Sequence, residues 1–256
     1  MEHETPSVAE PGTDRPKRAR GIYLLPNLFT TAALFSGFYG VLAAMNGQFE
    51  PAAIAIFVAM VLDGLDGRVA RLTNTQSAFG AEYDSLSDMV AFGLAPSLVM
   101  YEWALSGLGK FGWLAAFVYT AGTALRLARF NAMLDVADKR YFQGLPSPAA
   151  AAVMAGAVWV AVDHGWVGSD LAWLAGVVTV ACGLLMVSNI KYHSFKQVDF
   201  RGKVPFIVVV GIMVFFAVVL AQPAPVLFAI FAGYALSGPV LWLLHRRRPE
   251  AADPAA

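Results

Sequence analysis

Asp63-Gly64-Leu65-Asp66-Gly67-Arg68-Val69-Ala70-Arg71, followed after residues 72–79 by Gly80, Asp84 and Asp88, sets four carboxylates among apolar runs. An ionised Asp at the centre of a membrane helix costs roughly 2.5–3.5 kcal/mol on insertion scales. Four of them close together need a counter-charge. Hard carboxylate oxygens suit hard divalent cations best, so the stretch reads as a metal site at the edge of a membrane.

The rest of the chain supports the membrane half of that reading. Its 256 residues are 58% hydrophobic and 14% charged, with a mean hydropathy of +0.59. Soluble proteins carry about 25% charged residues, so this composition indicates an integral membrane protein. A net charge of zero gives no basic surplus for a nucleic-acid partner. The single cysteine, Cys182, excludes a disulfide or thiolate metal site within one chain. Residues 1–20 are polar, with no apolar stretch before Ile22, and read as a disordered cytoplasmic tail rather than a cleaved signal peptide. Residues 246–256 read as a second tail, and 21–245 as one transmembrane domain.

Apolar windows predict an all-α, polytopic helix bundle of about eight transmembrane helices. They cover approximately 27–46, 50–72, 83–105, 111–134, 147–164, 169–190, 204–221 and 224–245. With the N-terminus inside, every Lys and Arg falls on the cytoplasmic side except Lys110. That asymmetry predicts an N-in, C-in protein in the cell membrane. The second helix then carries Asp63 and Asp66 down toward the cytoplasm, and the third carries Asp84 and Asp88 up from it. The active site is thereby placed at the cytoplasmic face.

Asp63 and Asp66 are spaced i,i+3, and Asp84 and Asp88 i,i+4, so each pair lies on one helix face. Two facing pairs suit two metals, which can clamp a phosphate and stabilise both oxygens of a displacement. Gly64, Gly67 and Gly80 leave room for a bulky anion, and Arg71 can grip a phosphate with both its nitrogens. Ion pairing with Arg68 and Arg71 is the plainer explanation, but it leaves two carboxylates without a partner.

The pattern D-x-x-D-G-x-x-A-R, eight residues, then G-x-x-x-D-x-x-x-D is similar to the signature of the CDP-alcohol phosphotransferases at every fixed position. The resemblance implies that two divalent cations, Mg2+ or Mn2+, bind the diphosphate of a CDP-linked lipid. It implies that Asp63, Asp66 and Asp84 are metal ligands, with Asp88 both a ligand and the catalytic base. Gly67, Ala70, Arg71 and Gly80 would line the CDP-lipid site, with Asn27 facing the cytidine or its phosphate. It also implies a homodimer.

Members of that family differ in their acceptor alcohol. The blocks Arg126-Leu127-Ala128-Arg129-Phe130-Asn131, Gly144-Leu145-Pro146-Ser147-Pro148, Ala91-Phe92-Gly93-Leu94-Ala95-Pro96 and Ser188-Asn189-Ile190-Lys191-Tyr192 resemble the membrane-embedded phosphatidylserine synthases. That likeness implies CDP-diacylglycerol and L-serine as substrates. Arg126 and Arg129, i,i+3 on one face, are the candidates for the serine carboxylate. Glycerol 3-phosphate or an inositol phosphate is the alternative acceptor. A cation transporter using the aspartates as an ion path, or a non-catalytic lipid-binding scaffold, is the alternative of another class.

Overall fold

Each helix stops where the sequence withdraws support for it. The computed structural model describes residues 24–132, 141–193 and 206–246. Helix α1 (Leu24–Met45) has Pro26 in its first turn, where a missing N–H does no harm, and α2 (Phe49–Thr73) follows a short turn. Asn74 ends α2 in left-handed backbone (φ 50°), its N–H closing on the carbonyls of Ala70 and Arg71. Ser77 opens α3 (Ala78–Asp88), its hydroxyl accepting from the Gly80 N–H at 3.0 Å.

Beyond Asp88 the same rod widens into a π-turn (Met89–Leu94), continues as α4 (Ala95–Met100), and loosens again over Tyr101–Leu105. Pro96 explains the first distortion. It lacks the N–H that would donate to the Phe92 carbonyl in a regular helix. The buried Tyr119 hydroxyl donates to that carbonyl instead, at 2.9 Å.

The chain continues through α5 (Lys110–Ala132), strand β1 (Tyr141–Gln143), α6 (Ser147–Asp163), α7 (Ala172–Val187), strand β2 (Lys191–His193), α8 (Phe206–Ala221) and α9 (Pro223–Arg246). The two strands, which the sequence reading left as loops, pair antiparallel with Phe142 opposite Tyr192. Gly144 follows at φ +77°, where a Cβ would stand 2.2 Å from the Met186 carbonyl oxygen, so only glycine fits.

Each of the eight predicted stretches holds a helix among the described residues, the sixth stopping at Val187, short of the predicted 190. The third runs longer than the apolar window suggested, from Ala78 to Leu108, and it is bent. Among the described residues, four stretches are long and apolar enough to cross a membrane: Leu25–Met45, Ala78–Leu108, Gly168–Val187 and Pro223–Leu244. Helices α2 and α5 are of similar length but carry the charged residues; α6 and α8 are apolar but shorter. The tails at 1–20 and 247–256, and Lys139, Arg140, Lys196, Arg201 and Lys203, lie outside the described residues.

Small residues make the core. Ala149, Ala150, Ala151 and Ala152 of α6 are buried against α2 and α9, and close backbone approach of this kind is how helices associate in lipid. Gly122 of α5 meets Gly183 of α7: a Cβ on Gly122 would lie 2.6 Å from the Gly183 carbonyl oxygen. The outer surface is apolar. Leu72, Ile207 and Leu220 are largely exposed, as suits a membrane protein bathed in lipid rather than water.

Candidate active site

Helix α1 is the floor on which the two aspartate helices meet, since α2 and α3 each pack on α1 and scarcely on one another. The turn at 74–77 returns the chain so that the end of α2 and the body of α3 come together. Carboxylate oxygens of Asp63, Asp66 and Asp84 all lie within 4.8 Å of one another. Asp88 is within hydrogen-bond reach of Asp63, and Asp84 of Asp66. The four acids therefore interlock as two pairs, each with one member from α2 and one from α3.

Such packing favours a bound cation. Carboxylates this close repel when ionised unless positive charge stands among them. Asp66 is only 6% exposed, and Oδ1 of Asp84 is buried with no hydrogen-bond partner among the described residues. A carboxylate oxygen removed from water with no donor aimed at it calls for another partner. An all-oxygen donor set of this compactness fits a Mg2+- or Mn2+-type ion.

Space beside the cluster lies on the glycine side. A Cβ on Gly64 would meet nothing within 4 Å, and one on Gly67 would meet only the Arg71 guanidinium, at 3.6 Å. Arg71 thus folds back along its own helix and acts electrostatically on Asp66. Ala70, the other small residue of this stretch, is half-buried. Across the opening, a Cβ on Gly80 would lie 3.5 Å from Oδ1 of Asn27. Asn27, placed near the site on resemblance alone, is therefore a neighbour of Gly80.

The two arginines of α5 part company. Nη1 of Arg126 donates to the hydroxyl of the fully buried Ser147 at 2.6 Å, and its charge acts on Asp88, Tyr119 and Tyr234. Nη1 of Arg129 donates to the Val187 carbonyl and to Oδ1 of Asn189, both at 3.2 Å. A cation at the C-terminal end of α7 is favourably placed for the helix dipole. Arg126 faces the aspartates, while Arg129 is engaged by the end of α7.

Several residues to which the sequence alone assigns no individual role help to build the site. The Thr30 hydroxyl donates to Oδ2 of Asp66 at 2.8 Å, and the Ser87 hydroxyl donates to the Thr30 carbonyl at 3.1 Å. The Asn131 side-chain amide donates to Ser85 at 3.0 Å, tying the end of α5 to the residue after Asp84. Ser147 holds Arg126. One signal pointed to Thr30: it lies three residues beyond Asn27, on the same face of α1.

Comparison with known proteins gives the family of the chain. The family model described as CDP-alcohol phosphatidyltransferase matches residues 23–185, which contain Asn27, the four aspartates and both arginines of α5. A Helicobacter pylori (strain ATCC 700392 / 26695) protein named CDP-diacylglycerol–serine O-phosphatidyltransferase is 39% identical over 87% of this chain and 92% of its own length. The Mycobacterium leprae (strain TN) protein of the same name is 32% identical over 95% of this chain and 83% of its own length. A Methanocaldococcus jannaschii protein, again so named, is 37% identical over 62% of this chain and 69% of its own length. With the interlocked aspartates inside the matched span and the likeness running over most of its length, the chain belongs to the CDP-alcohol phosphatidyltransferase family.

Proposed function

We propose that this protein transfers the phosphatidyl group of CDP-diacylglycerol to the hydroxyl of L-serine, giving phosphatidylserine and CMP. The observation that carries the serine assignment is Arg126, a guanidinium anchored on Ser147 within electrostatic range of Asp88. It can hold a carboxylate with the attached hydroxyl directed at the base. The names of the chain's relatives support the same acceptor. Membership of the family sets aside the transporter and scaffold readings.

In this reading Asp63, Asp66, Asp84 and Asp88 hold two divalent cations, which supply, when bound, the positive charge that neutralises the phosphates being separated. Gly67, Ala70 and Gly80 leave room for CMP, Arg71 grips its phosphate, and Asn27 faces the nucleotide across from Gly80. Arg126 orients serine, with Arg129 buttressing the pocket from the end of α7. Asp88 accepts the hydroxyl proton as the serine oxygen attacks the lipid-bearing phosphorus. The bond from that phosphorus to the bridging oxygen breaks, and the electron pair leaves with CMP. The eight helices all cross the cell membrane, N-in and C-in, with the site at the cytoplasmic face, and the protein works as a homodimer.

Purified protein given CDP-diacylglycerol, Mg2+ or Mn2+, and labelled acceptors is expected to release CMP with serine. Release with glycerol 3-phosphate or an inositol phosphate but not with serine overturns the acceptor. Asp88→Asn is expected to lower the rate by about 10²–10⁴-fold, the range for a positioned base, while CDP-diacylglycerol still binds.

A further inference from the structure

We propose that Thr30 is a positioning residue for the metal-binding carboxylates, tying the Asp66 side chain of α2 and the aspartate-bearing helix α3 to one point on α1. The inference rests on the reading of Asp66 as a metal ligand and goes beyond it to what aims that ligand.

Thr30 is 4% exposed, so its polar groups have little water to turn to. Its hydroxyl has one proton and two acceptors nearby: the Pro26 carbonyl at 3.2 Å and Oδ2 of Asp66 at 2.8 Å. A charged acceptor at the shorter distance takes the proton, since hydrogen bonds to ionised groups are the stronger ones. That bond fixes the rotation of the Asp66 carboxylate, which lies within 4.8 Å of those of Asp63 and Asp84. The Thr30 carbonyl accepts from Ser87, the residue before Asp88. One residue of α1 therefore touches both aspartate helices, which scarcely pack on each other directly. The Thr31 hydroxyl shares a 2.9 Å hydrogen bond with Tyr83, the residue before Asp84, and reinforces the same seam. The spacing of the two carboxylate pairs is thus set through α1.

Titrating the detergent-purified protein with Mn2+ alone, without CDP-lipid, tests this. Electron paramagnetic resonance of the free ion gives the affinity, and thermal unfolding is followed in parallel without metal. Thr30→Val, which keeps the branched shape and removes the hydroxyl, is expected to weaken Mn2+ binding about tenfold, within the range for outer-shell partners. Thr30→Ser is expected to bind as the unaltered protein does. Where Thr30→Val cannot be recovered folded, Thr30→Ala against Thr30→Ser asks the same question, since that pair differs only by the oxygen. Asp66→Asn separates the two layers of the argument. Should it weaken Mn2+ binding while loss of the Thr30 hydroxyl does not, whatever happens to the melting temperature, the positioning role is overturned. Should Asp66→Asn leave the affinity unchanged, the metal reading itself fails at this residue.

Discussion

Arg126 and Arg129 are indistinguishable in sequence, two guanidiniums one turn apart on the same face of α5. Their roles separate because α7 ends beside one of them. Arg129 donates to the last carbonyl of α7 and to Asn189, while Arg126 is left facing Asp88 with Ser147 as its anchor. Arg126→Lys keeps the charge but loses the planar fork and the reach to Ser147. It is expected to raise the KM for serine about ten- to hundredfold, the value of a hydrogen bond to a charged group, with little change in the KM for CDP-diacylglycerol. Arg129→Lys is expected to change the serine KM much less; steady-state kinetics with each substrate varied checks both. The aspartates were legible because their spacing is covalent and their residue type is costly in lipid. Thr30 was not, because an isolated hydroxyl in an apolar helix is ordinary until its partner is seen, and Ser147 stood in the Gly144-Leu145-Pro146-Ser147-Pro148 block without its hold on Arg126 being readable there.

Among the elements, the seam between α5 and α7 depends on having no side chain at two places. A Cβ on Gly183 would stand 2.9 Å from the Tyr119 Cα, and one on Gly122 would press on the Gly183 carbonyl. Gly122→Val is therefore expected to lower the melting temperature in detergent, as overpacking costs about 1–3 kcal/mol. Gly233→Ala, in α9 with nothing within 4 Å of the added carbon, is expected to be neutral or slightly stabilising. Equal effects from the two would show that the close approach does not limit stability. Helix positions could be read from apolar windows because their signal is local. The π-turns could not: Pro96 announces that a hydrogen bond is missing, but that Tyr119 replaces it depends on a helix far along the chain. The β1–β2 pair was hidden for a similar reason. It joins three-residue segments on opposite sides of two helices. Tyr192 shows what the pair accomplishes: its hydroxyl donates to the Ala235 carbonyl at 2.9 Å, latching α9 to the strand pair. Burial pushes that phenol up to about 12, so it remains a neutral donor.

At the scale of the whole molecule, the two ends of the bundle differ in charge. The turn at 74–77 joins the two aspartate-bearing helices, whereas Lys110 begins α5 beyond the far end of the rod that starts at Ala78. In intact cells a membrane-impermeant thiol reagent is expected to label Lys110→Cys, and to label Gln76→Cys only after the membrane is opened. The reverse pattern would overturn the N-in, C-in arrangement. The buried Cys182 contributes little background. Helix α8 packs chiefly on α9 and exposes much of its apolar surface.

By itself the sequence determined the all-α membrane class, the places of the helices, the family and the four carboxylates. Each of these is written in short-range spacing and in what residue types cost in lipid. Only the tertiary structure decided how the carboxylates interlock, that Thr30 hydrogen-bonds one of them, and that Ser147 holds Arg126 while the end of α7 holds Arg129. These contacts join residues tens of positions apart, and their geometry exists only once the helices have packed.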